Sequence, residues 1–371
     1  MSLFIRLFQA CLIVAAAAFV RPDILAGQTS GITSNTIKIG LLIQDSSYAS
    51  AVNGAELAVR IANSKGGFNN RHFELVVRSM EGPWGTGSKQ AVNLIFEEGV
   101  WALLGSHDGR NAHLVEQAAT KSQVVFLSAW SGDPTLSQAF VPWFFNCVPN
   151  DNQQAAALID EIYNRKYSKI VIVHDNDYDS QTTLKNFLKS LKIAELPEPV
   201  QLDYQNYTSN LNVLAVKTIE ADPDCIMIFC NPSSSIKCIQ QFRQKKINKP
   251  LFGSLELLNE NELSSYDLEY LDNHISVTSG DWSESEYLNF RQEFRNAFKK
   301  PPGLAASFAF DGMNLLIEAI IRAGSPDREK IQESIKNIRY NGVTGIIQFD
   351  DKGNRLGKFE IMKTKNGVPV N

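Results

Sequence analysis

Histidine is scarce in this chain, with five in 371 residues: His72, His107, His113, His174 and His274. His107 and His113 stand six apart, which is not the same-face spacing a helix offers a metal. Cysteine is equally sparse, and the spacings of Cys147, Cys225, Cys230 and Cys238 match no zinc signature. Asp350, Asp351 and Gly353 lack the ligand spacing of a calcium loop, and a turn explains them. There is no Gly-x-Ser-x-Gly elbow, no His-Glu-x-x-His and no Walker loop, so catalysis has no visible nucleophile–base pair and no enzyme is expected. Neither a metal nor a cofactor is expected. Dense basic blocks are missing too. With a net charge of −4 and a pI near 5.8, the chain offers no phosphate track, which excludes nucleic acid as a partner.

Long apolar runs are confined to the start. Leu7 to Val20 is a 14-residue apolar stretch behind a weakly basic Met1 to Arg6, and Arg21-Pro22-Asp23 ends it abruptly. It is shorter than the roughly 20 residues of a membrane span. This is the grammar of a cleaved export signal over 1–26, with Ala26 at the edge. Phe8-Gln9-Ala10 before Cys11 is unlike a lipoprotein signal. No later stretch reads as a span, so the mature chain is expected free in an oxidising compartment. An offset of five puts Cys225 and Cys230 on opposite strand faces. Cys230 and Cys238 could pair across a turn; buried free thiols are the alternative.

The remaining length exceeds one comfortable core, which favours two lobes. Strand-like runs (Thr36 to Gln44, Phe73 to Ser79, Trp101 to Ser106, Val124 to Ala129) alternate with helical ones (Asn53 to Phe68, Ser88 to Glu98, Arg110 to Lys121). The rhythm restarts at Asn152 and runs through Lys169-Ile-Val-Ile-Val, Cys225 to Cys230 and Pro250-Leu-Phe-Gly. The fold class is therefore α/β, with two doubly wound parallel sheets. The tail reads as three helices and a hairpin turning at Asp351-Lys352-Gly353-Asn354.

The pieces KIGLL, NGAELAVRIANSKGG, QAVNLIFEEGVWALLGS, VVFLSAWSGDPTLS, IVIVHDNDYDSQT, DCIMIFCNP, PLFGSLEL, AFDGMNLLIEAI and GVTGIIQFDDKGN occur in that order. Together they resemble the type I periplasmic binding proteins of ABC importers, in particular the branched-chain amino acid binding group. The resemblance implies two lobes joined by a three-segment hinge. Its crossings fall near Asn146–Val148, Val277–Gly280 and Gly345–Gln348. Lobe 1 then takes 36–146 plus 281–345, and lobe 2 takes 147–280 plus 346–371. The implied partners are a small-molecule solute, amino-acid-like or aromatic and polar, and a membrane permease. A monomer or weak dimer is expected. A ligand sensor of the same fold is the alternative.

Ligands of parallel sheets bind beyond the carboxyl ends of the strands. That selects Ser106, His107, Asp108, Ala129, Trp130, Ser131, Tyr178, Asn231 and Glu256 as ligand-binding candidates. Trp84 and Trp282 join Trp130 in a possible aromatic wall for a planar or cationic ligand. In the family, Ser and Thr hydroxyls of the first lobe hold the ligand's carboxylate. Here Gly109 and Gly132 stand at those positions, Trp130 replaces a small residue and Asn231 an aromatic, which weakens the case for an α-amino acid. Tyr48 is the candidate to reach the cleft from a shortened first loop. The bland readings are a solvated loop capped by Asp108 or Gly109, a turn and cap at Asn231, and a surface or interlobe carboxylate at Glu256.

Overall fold

A computed structural model describes residues 36–138, 141–272, 275–282, 284–357, 359–365 and 368–370; the expected leader at 1–26 lies outside them. The first lobe is built on five parallel strands: β1 (Thr36–Ile43), β2 (His72–Ser79), β3 (Ala102–Ser106), β4 (Val125–Ser128) and β5 (Phe144–Asn146), in the order β2-β1-β3-β4-β5. β1 is apolar on both sides because it is central and covered on both faces. Helix α1 (Ala49–Ser64) covers one face, and α2 (Thr86–Phe96) with α3 (Gly109–Lys121) the other. The register aligns Ile43 with Ser79 and Ser106, so the loops at Gln44, Met80 and His107 leave the sheet at one level. Gly85, in the left-handed region, rather than Ser88, starts α2; the Ser88 hydroxyl donates instead to Leu114 O.

The second sheet repeats the pattern. After α4 (Asp151–Arg165) come β6 (Ile170–His174), α5 (Tyr178–Ile193), β7 (Val200–Asp203), α6 (Leu211–Glu220), β8 (Cys225–Phe229), α7 (Pro232–Gln244), β9 (Leu251–Gly253), the short α8 (Ser265–Glu269) and β10 (Ile275–Thr278). These strands pair in parallel in the order β10-β9-β8-β6-β7. Cys225 and Cys230 fall in different core clusters, and all four described cysteines are buried free thiols.

The chain then returns to the first lobe through α9 (Ser285–Phe298), α10 (Leu304–Ala323) and α11 (Arg328–Lys336). By length and apolarity alone α10 could cross a membrane, contrary to the sequence expectation. It lies buried along α1 and across β3 and β4. The tail is not one hairpin. β11 (Tyr340–Gly342) pairs with β12 (Gly345–Ile347), whereas β13 (Glu360–Lys365) lies antiparallel between β10 and β14 (Val368–Val370). The turn at Asp350–Arg355 survives as a single bridge, Phe349 to Arg355. The arms separate because each finds a longer partner elsewhere.

Three connecting segments meet around Arg355. Its guanidinium, almost fully buried, donates to Cys147 O at 2.7 Å, Thr344 O at 2.8 Å, Thr344 Oγ1 at 3.1 Å and Ile346 O at 3.1 Å. Thr344 Oγ1 in turn donates to Asp311 on α10 at 2.6 Å. Gly280 has a φ of +87°, and a Cβ there would meet Thr344 C and O at 2.1 Å. Gly280 is therefore packed backbone to backbone on Thr344 and Gly345, and the Arg355 side chain ties 344–346 to 147.

Candidate functional site at the cleft between the sheets

The loops leaving the carboxyl ends of both sheets meet one another. Trp130, after β4, is buried, and its Nε1 donates to Glu256 Oε2 at 2.7 Å. Glu256 sits on the short 3-10 turn Leu255–Leu258 after β9. Burial, then the neighbouring Glu262, push its carboxyl up to about 8, against the pull of the Trp130 hydrogen bond. Tyr178 opens α5 and its hydroxyl donates to Asp133 Oδ2 at 2.8 Å. Asp133 is buried, which alone would raise its pKa. Hydrogen bonds from His113, Thr135 and Tyr178 outweigh this and hold the carboxyl at about 2.

Further pairs flank these. Gly109 N donates to Asp179 at 3.0 and 3.3 Å. Burial raises the Asp179 carboxyl well above the usual range, and Glu256 and Asp108 add to it. Tyr48, buried, donates to Glu262 Oε1 at 3.0 Å and accepts from Asn259 Nδ2 at 3.0 Å. Glu260 accepts from Ala305 N and Ala306 N, both at 2.8 Å, and from Ser50 Oγ at 2.8 Å. It thus caps α10 with a charge suited to a helix N-terminus. The bonds of Trp130, Tyr178, Gly109, Tyr48 and Glu260 each join a residue of the first sheet's lobe to one of the second's, so the lobes are closed on one another.

The remaining candidates distribute unevenly. Ser106 is fully buried, and its Oγ has no hydrogen-bond partner among the described residues. His107 is not a clamp on the cleft. It is fully buried and stacks on Phe126 with centroids 5.9 Å apart; burial lowers its pKa and keeps it neutral. Asp108 is the cap of α3, accepting from Asn111 N at 2.6 Å. Ala129 is buried with its N–H spent on Gly105 O. Ser131 is buried, its Oγ accepting from Asp133 N and its carbonyl from Asn146 Nδ2. Asn231 caps α7 and donates to Asp175 Oδ2 at 2.7 Å.

The three tryptophans occupy three environments rather than one wall. Trp84 is 67% exposed, with the Arg110 guanidinium 4.2 Å from its ring centroid. Trp282 is 3% exposed, edge-on to Tyr287 and Phe308. Trp130 meets the strand-end loops of the opposite lobe, whereas Trp282 reaches it beside the second crossing, its Nε1 donating to Thr278 Oγ1 of β10 at 3.4 Å. Sequence reasoning missed Asp133, Asp179, Asn259, Glu260 and Glu262. Only Asp179 had a signal, its place beside Tyr178 at the start of a helix that follows a buried strand.

Two hinged α/β lobes, closed face to face over the carboxyl ends of their strands, define a two-lobed binding protein. The chain belongs to the periplasmic binding protein family, whose model matches residues 36–364. It is 22% identical over 319 residues to the leucine-, isoleucine-, valine-, threonine- and alanine-binding protein of Pseudomonas aeruginosa, covering 81% of this chain and 80% of that one. It is 24% identical over 256 residues to the metabotropic glutamate receptor-like protein E of Dictyostelium discoideum, covering 61% of this chain but only 30% of that receptor's length. Among solved structures, the branched-chain amino acid transporter substrate binding protein LivJ of Streptococcus pneumoniae, in complex with isoleucine, superposes with a TM-score of 0.77 at 21% identity. That match covers 91% of this chain and 98% of LivJ. A solute binding protein of an R. palustris ABC transporter, in complex with benzoate, gives 0.75 at 19% identity, covering 91% of this chain and 95% of that one.

Proposed function

We propose that this chain is the extracytoplasmic solute-binding subunit of an ABC importer and not an enzyme. It captures a small polar metabolite by closing its lobes and presents the closed form to a membrane permease. The observation that carries this reading is the set of hydrogen bonds across the cleft, Trp130 to Glu256, Tyr178 to Asp133 and Gly109 to Asp179. They use the loops at the strand ends where ligands of parallel sheets bind. A solute touching both faces stabilises closure by its differential affinity for the closed state. We place the hinge of the motion at the Arg355 node, with lobe boundaries at 146/147, 280/281 and 345/346. The protein acts as a monomer or weak dimer.

The test is recovery of the cargo. The purified protein is incubated with a metabolite extract, washed and denatured, and the released small molecules are identified by mass spectrometry. One solute class near equimolar amounts is expected, with closure seen as a smaller radius of gyration by X-ray scattering. Release of nothing, with no scattering change, would overturn the reading. Similarity to a receptor-like protein favours a sensor as the second reading. Deleting the gene abolishes uptake of the recovered solute if the protein serves an importer and leaves uptake intact if it is a sensor.

A further inference from the structure

Two glycines at the rim of the first lobe each face a carboxylate from the second. Gly109 opens α3, and its N–H points at both oxygens of Asp179. A Cβ on Gly109 would lie 2.8 Å from Asp179 Oδ1, 2.9 Å from the Asp133 Cβ and 3.1 Å from Ser131 Oγ. A Cβ on Gly132 would lie 2.7 Å from Asp151 Oδ1, and the Asp151 N–H donates to Gly132 O at 2.7 Å. Any side chain at either position would displace a carboxylate. A helix N-terminus attracts an anion; here the chain's own Asp179 already fills that place.

The rest of the cleft has the opposite need. Glu262 of the second lobe is repelled by Asp177 of its own lobe and by Asp45 and Asp108 of the first, and Glu256 by Glu262, Asp177 and Asp108. Each is held by neutral donors: Ser47 N on Asp45, Asn111 on Asp108, Ser180 on Asp177, Trp130 on Glu256, and Tyr48 with Asn259 on Glu262. Among the described residues no lysine, arginine or histidine forms an ion pair with any of these five; the cleft's ion pair joins His113 to Asp133 instead. Nor, among the described residues, do three His, Cys, Asp or Glu side chains converge tightly enough to hold a metal ion. Carboxylates spread along a cleft, beside the indole of Trp130 and the ring of Tyr48, match a cation with an organic body.

We propose that the cleft takes an organic ammonium cation that carries no carboxylate. Asp179 and Asp151 exclude an acidic head, and Glu256, Glu262, Asp108 and Asp177 receive the positive charge. This rests on the reading of the cleft as the solute site and names the class of solute.

The test compares three molecules that share one 3-methylbutyl chain: leucine, isoamylamine (leucine without its carboxylate) and isocaproate (leucine without its ammonium). Putrescine and choline extend the cation arm. Titration calorimetry on the purified protein is expected to show at least one cation binding tenfold or more tighter than leucine, with isocaproate not binding. Glu256→Gln should weaken that cation at least tenfold. Asp179→Gly, which frees the Gly109 N–H, should shift preference toward leucine over isoamylamine at least tenfold. Circular dichroism and the melting midpoint establish that each variant is folded. Binding of leucine or isocaproate as tightly as every cation overturns the proposal, as does binding of none of the cations. An acid or zwitterion recovered from the extract would overturn the amine class while leaving solute capture standing, so the two readings fail separately.

Discussion

Replacing Arg355 by Met removes the charge that ties the segment at 147 to the one at 344–346 while roughly keeping the side chain's length. The guanidinium is buried, and burial lowers its pKa to about 10, with Asp311 and Cys147 opposing the shift; it stays protonated at neutral pH. Its loss strands the carbonyls of the buried Cys147 and Thr344, while that of Ile346, a residue 45% exposed, borders solvent. It also leaves Asp311, fully buried, without the cation nearest to it. The desolvation cost of the guanidinium is recovered, so the four bonds cannot simply be added. Breaking a buried charged network from one side costs about 3–5 kcal/mol. With about 2.1 cal/mol/K of unfolding entropy per residue, a chain of this length should melt about 4–7 °C lower. Arg355→Lys should fall between Met and wild type, because one ammonium can reach some of the same acceptors. Differential scanning calorimetry reads all three. A loss below about 1 kcal/mol in the Met variant would show that these carbonyls find other partners, and the node would not be the hinge's anchor.

Gly280→Ala should be far more damaging than Gly66→Ala. Both positions have positive φ, but a Cβ at Gly280 meets Thr344 backbone at 2.1 Å and one at Gly66 meets nothing within 4 Å. Denaturant melts should show about 1–2 kcal/mol lost for Gly66→Ala and clearly more, or insoluble protein, for Gly280→Ala; equal losses would refute the close packing of the segments. Glu260→Gln keeps the shape of the α10 cap but not its charge. Weakening three charge-assisted bonds by about half should shift the closed-to-open ratio of the unliganded protein about five- to thirtyfold, read as a larger radius of gyration in scattering. An unchanged radius would remove Glu260 as a latch. Closure of the unliganded protein should also depend on pH through Glu256, which faces Glu262, Asp177, Asp108 and the Trp130 indole. Its pKa is raised to about 8 when the lobes are shut, and parting the lobes returns it to water. Closure therefore takes up a proton: it is fully favoured below the ordinary carboxylate range and lost as pH rises through about 8. Scattering between pH 5 and 9, a range of about four units around that value, should show progressive opening, abolished in Glu256→Gln; opening on acidification would refute the assignment.

The two sheets were legible because their central strands are apolar on both faces, a pattern that only helices on both sides explain. The short strands β5 and β7 were not, because three or four residues carry no periodicity. The parting of the tail's arms was hidden because local turn chemistry at Asp350–Arg355 says nothing about the strands beyond it. The cleft divides along the same line. Trp130, Tyr178 and Glu256 could be picked from their places after strands, but their partners lie 126 and 45 positions away, and Asp179 lies 70 from Gly109. Trp282 shows the converse failure: its loop looks exposed until Phe308 of α10 and Tyr287 close over it. The glycines carry the sharpest lesson. Read along the sequence, Gly109 and Gly132 are hydroxyls lost. In space each is a volume kept empty for a carboxylate of the other lobe, Asp179 against Gly109 and Asp151 against Gly132. On the proposal of an ammonium solute, the two glycines and the carboxylates packed on them set the sign of the charge the cleft accepts, while the fold that surrounds it stays the same.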